Sequence, residues 1–198
     1  MGLADKKKVI LVTDGDRIAK EAVEVAAKNI GARCISCSWG NPTRLTGEQL
    51  VDQIIKAPHD PVVVMVDDRG FQGEGPGESA MRYIVQHPDI EVLGVLAVAS
   101  NTGGVKGVLI DQSVTNQGVL VNGPVDKNGF CCVDGSTGLH GDTVEILREI
   151  KLPVVVGIGD IGKMCGEDDA NCGAPITTKA LQEVLNRSGY FGKSDNTR

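Results

Sequence analysis

The sequence predicts an α/β fold, a three-layer sandwich with a mostly parallel central sheet and an antiparallel excursion at one edge. Three observations predict it. Val9–Val12, Val62–Val66, Val92–Ala99 and Val154–Val156 are apolar throughout, as strands buried on both faces are. Most of the segments between them have helical spacing and recognisable caps. Residues 101–140 break that alternation, with short apolar runs separated by turn signals and no helical period.

Val9–Val12 is the first strand. Asp16 then caps a helix whose inward stripe is Ile18, Ala22, Val25 and Ala26, ended by Gly31. Ala32–Ser38 reads as a weaker strand. Thr46-Gly-Glu-Gln49 has the form of a capping box, in which hydroxyl and amide each satisfy the other residue's backbone donor. That helix carries Leu50, Ile54 and Ile55 and stops before Pro58. Ser79–Gln86 is a third helix, with Met81, Ile84 and Val85 inward and Pro88 ending it. Within 101–140, Val108–Val114, an Asn116-Gln-Gly118 turn, Val119–Val121, Asp126-Lys-Asn-Gly129 and Phe130–Val133 form the edge excursion. Asp142-Thr-Val-Glu145 opens a fourth helix, and Thr177 or Thr178 a fifth that closes at Gly189. Without a linker rich in Pro or Ser, residues 1–192 read as a single domain, with 193–198 a loose tail.

Composition excludes several function classes. A net charge of −6 and six aromatic residues oppose nucleic-acid binding, which needs a basic face and stacking rings. The longest strongly apolar stretch, Val92–Ala99, is far short of a membrane span. Lys6-Lys7-Lys8 before Val9–Val12 is followed by too few apolar residues for a signal peptide. The expectation is a soluble protein that begins in the cytoplasm. Cys34-Ile-Ser-Cys37 has metal or redox spacing, but in a strand its thiols would point to opposite faces, so both are expected to be buried and unreactive.

In an open α/β sheet ligands bind beyond the carboxyl ends of the strands. Three such ends stand out: Thr13-Asp-Gly-Asp16, Asp67-to-Glu78 (DDRGFQGEGPGE) and Gly157-to-Lys163 (GIGDIGK). In a doubly wound sheet Asp14, Asp16, Asp67 and Asp68 gather in one crevice, with Glu74, Glu78 and Asp160 in reach. Hard carboxylate oxygens suit Mg²⁺ or Ca²⁺, so these four aspartates are the candidate metal ligands. Caps and turns explain the same acids one at a time. Gly70, Gly73, Gly75 and Gly77 make the second loop a candidate ligand loop, whose backbone N–H groups could receive an anion. There is no phosphate-loop motif, no nucleophile elbow and no H-E-x-x-H. His59, His87 and His140 read as turn or capping residues, with His140 able to orient on Asp142. No catalytic residue is assigned.

Lys8–Asp16 (KVILVTDGD), Gly40-Asn-Pro-Thr43, Asp67–Glu78, Gly141-Asp-Thr-Val144 and Val155–Met164 (VVGIGDIGKM) resemble the soluble branch of the stage V sporulation protein AE family. The resemblance runs from about residue 8 to 190. It implies a role in sporulation and germination, as an accessory of the stage V sporulation A proteins that move calcium–dipicolinate. It further implies membrane-embedded partners from that group and a peripheral position at the spore inner membrane. A more distant resemblance is to the Toprim layout, in which a strand–acid loop and an Asp pair after the third strand hold Mg²⁺ for phosphoryl transfer. Asp14 (or Asp16) and Asp67-Asp68 stand at those positions. The adjacent pair departs from the Asp-x-Asp spacing, since neighbouring strand-end residues point to different sides.

Overall fold

A computed structural model describes residues 5–70, 74–100, 107–132, 138–141 and 143–193. Its strands are β1 (Lys7–Val12), β2 (Arg33–Cys34), β3 (Val62–Met65), β4 (Ile90–Val98), β5 (Gln112–Val114), β6 (Leu120–Val121) and β7 (Val155–Ile158). They form one sheet in the order β2-β3-β1-β4-β7-β5-β6. Every pairing is parallel except β5 with β6.

The pleat sends alternate residues of β1 to opposite sides. Ile10 and Val12 join Ala22, Val23 and Ala26 of α1 (Arg17–Asn29) and Leu181 and Val184 of α4 (Pro175–Arg187) in one core layer. Val9 and Leu11 join Leu50 and Ile54 of α2 (Gly47–Ile55) and Met81 and Ile84 of α3 (Pro76–Gln86) in the other. Both layers are closed, and each fully buried Val, Leu or Ile contributes about 1.5–3 kcal/mol. The three-layer sandwich is therefore present, with the α2 capping box formed as expected.

Several elements differ from expectation. The strand over Ala32–Ser38 is only Arg33–Cys34, followed by a 3₁₀ turn at Ser36–Ser38. There the Ser38 Oγ accepts the Met65 N–H at 2.9 Å, so a side chain replaces the next rung of the ladder. Cys37 consequently lies exposed on the turn, whereas Cys34 is buried and its thiol is pushed up to about 12 by that burial. Of the α1 stripe, Ile18 is 45% exposed, and Ala19, Ala22, Val23, Ala26 and Ala27 form the buried face. Ile55 on α2 is also exposed.

The edge excursion is mixed: β5 runs parallel to β7, and only β6 turns back antiparallel through the Thr115–Gly118 turn. Val125 and Cys131 make a single antiparallel bridge around the 126–129 turn; Val133 lies outside the described residues. Asp142 also lies outside them, so its pairing with His140 does too. In place of the helix expected there, Glu145–Arg148 is one 3₁₀ turn. A tertiary contact holds it, because buried Glu78 accepts the Ile146 N–H at 3.1 Å. The last long helix, α4, starts at Pro175, two or three residues earlier than the threonines indicate. A short helix, α5 (Tyr190–Lys193), ends the described chain. No helix among the described residues is long and apolar enough to cross a membrane.

Candidate functional site

Beyond the carboxyl ends of β1, β3, β4 and β7 lies a cleft of about 250 Å³, lined by Thr13, Asp14, Asp16, Asn41, Asp67, Val98, Ala99, Ser100, Lys127, Asp160 and Lys163. β1 sits between β3 and β4, which puts the first and second acidic loops side by side. Gly15 makes the close approach possible. A Cβ there would meet the Gly40 carbonyl oxygen at 2.7 Å, and the Gly40 N–H donates to the Gly15 carbonyl at 2.8 Å.

The acids in and around this cleft are held very differently. Asp16 caps α1, its Oδ1 accepting the Ala19 N–H at 2.8 Å, while Oδ2 takes the Lys163 ammonium at 2.8 Å. The same ammonium lies 2.9 Å from Asp160 Oδ1, so one lysine bridges two carboxylates. Burial is the largest single influence and works against charge on both Asp16 and Lys163, but their mutual hydrogen bond and the groups around them together outweigh it. With help from the Ala19 N–H on one side and Asp160 on the other, Asp16 titrates below its ordinary range and Lys163 above its own. Lys163 is followed by three left-handed residues, Met164 (φ 40°), Cys165 (φ 62°) and Gly166 (φ 90°). Two of them are not glycine, and each costs about 1–3 kcal/mol. Burial of Met164 at 1% exposure anchors this bend.

Asp67 is buried and braces the crossing loops: Oδ2 accepts the Gly15 N–H at 3.1 Å and Oδ1 the Arg69 N–H at 2.9 Å. Asp68, its neighbour, points the other way. Its carboxylate accepts the Gly77 N–H at 2.6 Å and the Glu78 N–H at 3.0 Å, capping α3. The glycine loop thus does present N–H groups to an anion, and that anion is the chain's own Asp68. A Cβ at Gly77 would come within 2.8 Å of the Asp67 backbone, and one at Gly75 would collide with the Asp68 carboxylate. Gly70 supplies a left-handed turn (φ 67°), and Gly73 lies outside the described residues. Glu78 serves the 145–148 turn, and exposed Glu74 pairs with Arg82 at 3.4 Å.

Asp14 is the exception. It is 9% exposed, and its only hydrogen bond among the described residues is a long one of 3.3 Å from the Asp16 N–H to Oδ1. Burial, then the charges of Asp16, Asp67 and Asp160, hold its carboxyl well above the usual range. Of the four candidate metal ligands, the structure brings Asp14, Asp16 and Asp67 to the cleft and turns Asp68 to the N-terminus of α3. Among the described residues no three His, Cys, Asp or Glu side chains are arranged as a metal-ligand set.

Two side chains that organise the loops around the cleft were missed in the sequence. Lys163 lies in a recognised loop string, but its partners are Asp160 and the distant Asp16. Asp168 is fully buried and accepts from the Gly162, Ile176 and Thr177 N–H groups and the Thr177 hydroxyl at 2.6–3.0 Å, capping α4 from outside it. Its loop, Gly166-Glu-Asp-Asp169, carries no local signal of that role.

No curated protein and no solved structure matches this sequence. A family model, that of stage V sporulation protein AE1, matches residues 8–188 and so covers the strands, the capped helices and every acid around the cleft. The chain belongs to the stage V sporulation protein AE1 family, a family of sporulation proteins.

Proposed function

We propose that the chain is an accessory subunit of the assembly that carries calcium–dipicolinate into the forming spore and out of the germinating one. It acts by docking onto membrane-embedded stage V sporulation A proteins, peripherally at the spore inner membrane. Membership of the family over residues 8–188 is the observation that carries the reading. The way the acids are used supports docking over phosphoryl transfer: Asp68 is committed to the N-terminus of α3 and Asp67 to two loop N–H groups. The docking face in this reading is the β6 edge. There Val119 and Phe130 are about half exposed beside the outermost strand of the sheet, and an open strand edge is a template for a partner.

The test is reconstitution of the membrane-embedded proteins in nanodiscs, followed by sedimentation with the purified chain. Wild type is expected to co-sediment, and Val119→Asp combined with Phe130→Asp to lose at least tenfold in affinity while melting normally. Failure of wild type to bind any of those proteins overturns the reading. Mg²⁺-dependent cleavage of a phosphodiester, lost in Asp67→Asn, would establish the phosphotransfer alternative instead.

A further inference from the structure

We propose that the cleft binds a small organic cation carrying a primary ammonium group, received by the carboxylate of Asp14. This inference concerns a different surface from the docking edge and stands independently of it.

Asp14 is nine-tenths buried on the cleft wall, and no donor among the described residues reaches its Oδ2. That oxygen is not one of the fully enclosed atoms; it opens onto the cleft, and a largely desolvated acceptor with no protein donor is where a ligand donor is most favourable. The surrounding charge gives the ligand its sign. Among the described residues, Asp14, Asp16, Asp67 and Asp160 line the cleft against Lys127 and Lys163, so one further positive charge is accommodated without excess. An anion would meet Asp14 directly and is excluded by the same count.

Geometry separates an organic ammonium from a bare metal ion. Both oxygens of Asp67 already take backbone N–H groups, and both of Asp16 are engaged by Ala19 and Lys163. That leaves no convergent set of three carboxylates among the described residues. The cleft, at about 250 Å³, is also several times the ~30 Å³ share of one water, enough for a molecule of a few heavy atoms. Next to Asp14, Lys163 already demonstrates the chemistry: a primary ammonium seated between Asp16 and Asp160 at 2.8 and 2.9 Å. Val98 and Ala99 supply an apolar wall for a short carbon chain, and Asn41 and Ser100 line the cleft with polar groups.

The groups facing Asp14 are Asp16 at the start of α1, Asp67 after β3, Asp160 and Lys163 after β7, and Lys127 from the edge excursion. Three of these are acids that favour the protonated form of Asp14. A bound ammonium reverses that preference, so binding releases a proton and strengthens as pH rises through the titration of Asp14.

The experiment is isothermal calorimetry of the full chain with putrescine and with ethylamine, at constant ionic strength, in two buffers of different ionisation enthalpy. Parallel arms use CaCl₂, MgCl₂ and sodium acetate. Expected are saturable binding of an amine, a buffer-dependent enthalpy that reports proton release, and at least tenfold weaker binding by Asp14→Asn. Amine binding unchanged in a folded Asp14→Asn overturns the proposal, as does wild-type amine binding that releases no proton at any pH in a series from 4 to 8, a readout that needs no variant. Saturation by Ca²⁺ or Mg²⁺ alone overturns it in favour of a metal site, and binding of none of the probes overturns it outright.

Discussion

The N-terminus of α4 and the wall of the cleft each bury one aspartate, and the two sites treat it differently. Asp168 is fully buried and accepts four hydrogen bonds from three N–H groups and a hydroxyl. Asp14 is nearly as buried and, among the described residues, accepts one, at 3.3 Å, beside three neighbouring acids. Burial alone therefore says nothing about role. What separates a structural carboxylate from an available one is whether the fold has already spent its acceptors, and Asp68 and Asp67 side with Asp168 on that criterion.

The comparison breaks most visibly at Asp168. Asp168→Ala strands its donors beside the first turn of α4 and is expected to destabilise by about 3 kcal/mol, read as the shift in a urea unfolding curve. Asp68→Ala removes two N–H partners from α3 and should lose about 2 kcal/mol by the same assay. Thr46→Ala opens the α2 capping box, with an expected loss of about 1 kcal/mol.

Asp14→Asn sharpens the contrast because its sign is opposite: at pH 7 the variant is expected to be at least as stable as wild type. The folded state holds the carboxyl of Asp14 above its unfolded value, so between those two values folded chains bind more protons than unfolded ones. Asp14 thus lowers stability as pH rises through that window, and the asparagine removes the decline. Asp16 is lowered in the fold, so its contribution is present above the usual carboxylate range and is lost as pH falls through its folded value. Unfolding curves from pH 4 to 8 separate the two: a wild-type minus Asp14→Asn difference that does not change with pH would contradict this account of Asp14.

Local chemistry made much of the fold legible. Val9–Val12 and Val62–Val66 announce buried parallel strands because both faces need apolar cover, and Thr46 and Gln49 announce a helix start because their bonds span three residues. What escaped depends on residues far apart. The 3₁₀ turn at Ser36–Ser38 exists because Ser38 bonds Met65, and the one at Glu145–Arg148 because Glu78 reaches Ile146. The crevice was legible to the extent that two acidic loops meet in it. The Lys163 bridge joins residues 147 apart, and the opposite aim of Asp68 depends on where α3 begins, so the individual duties of the acids were visible only in three dimensions.

The central place of β1 has a consequence for how the chain acquires its shape. β1 is flanked by β3 on one side and by β4 on the other. Lys7–Val12 therefore cannot complete its hydrogen bonding until Ile90–Val98 has been made, about half the chain later. Pairings of such long sequence separation slow folding and leave apolar strands uncovered in the meantime. During translation Lys7–Val12 stays without its second neighbour until Ile90–Val98 has emerged, so the centre of the sheet is the last part of the first hundred residues to close.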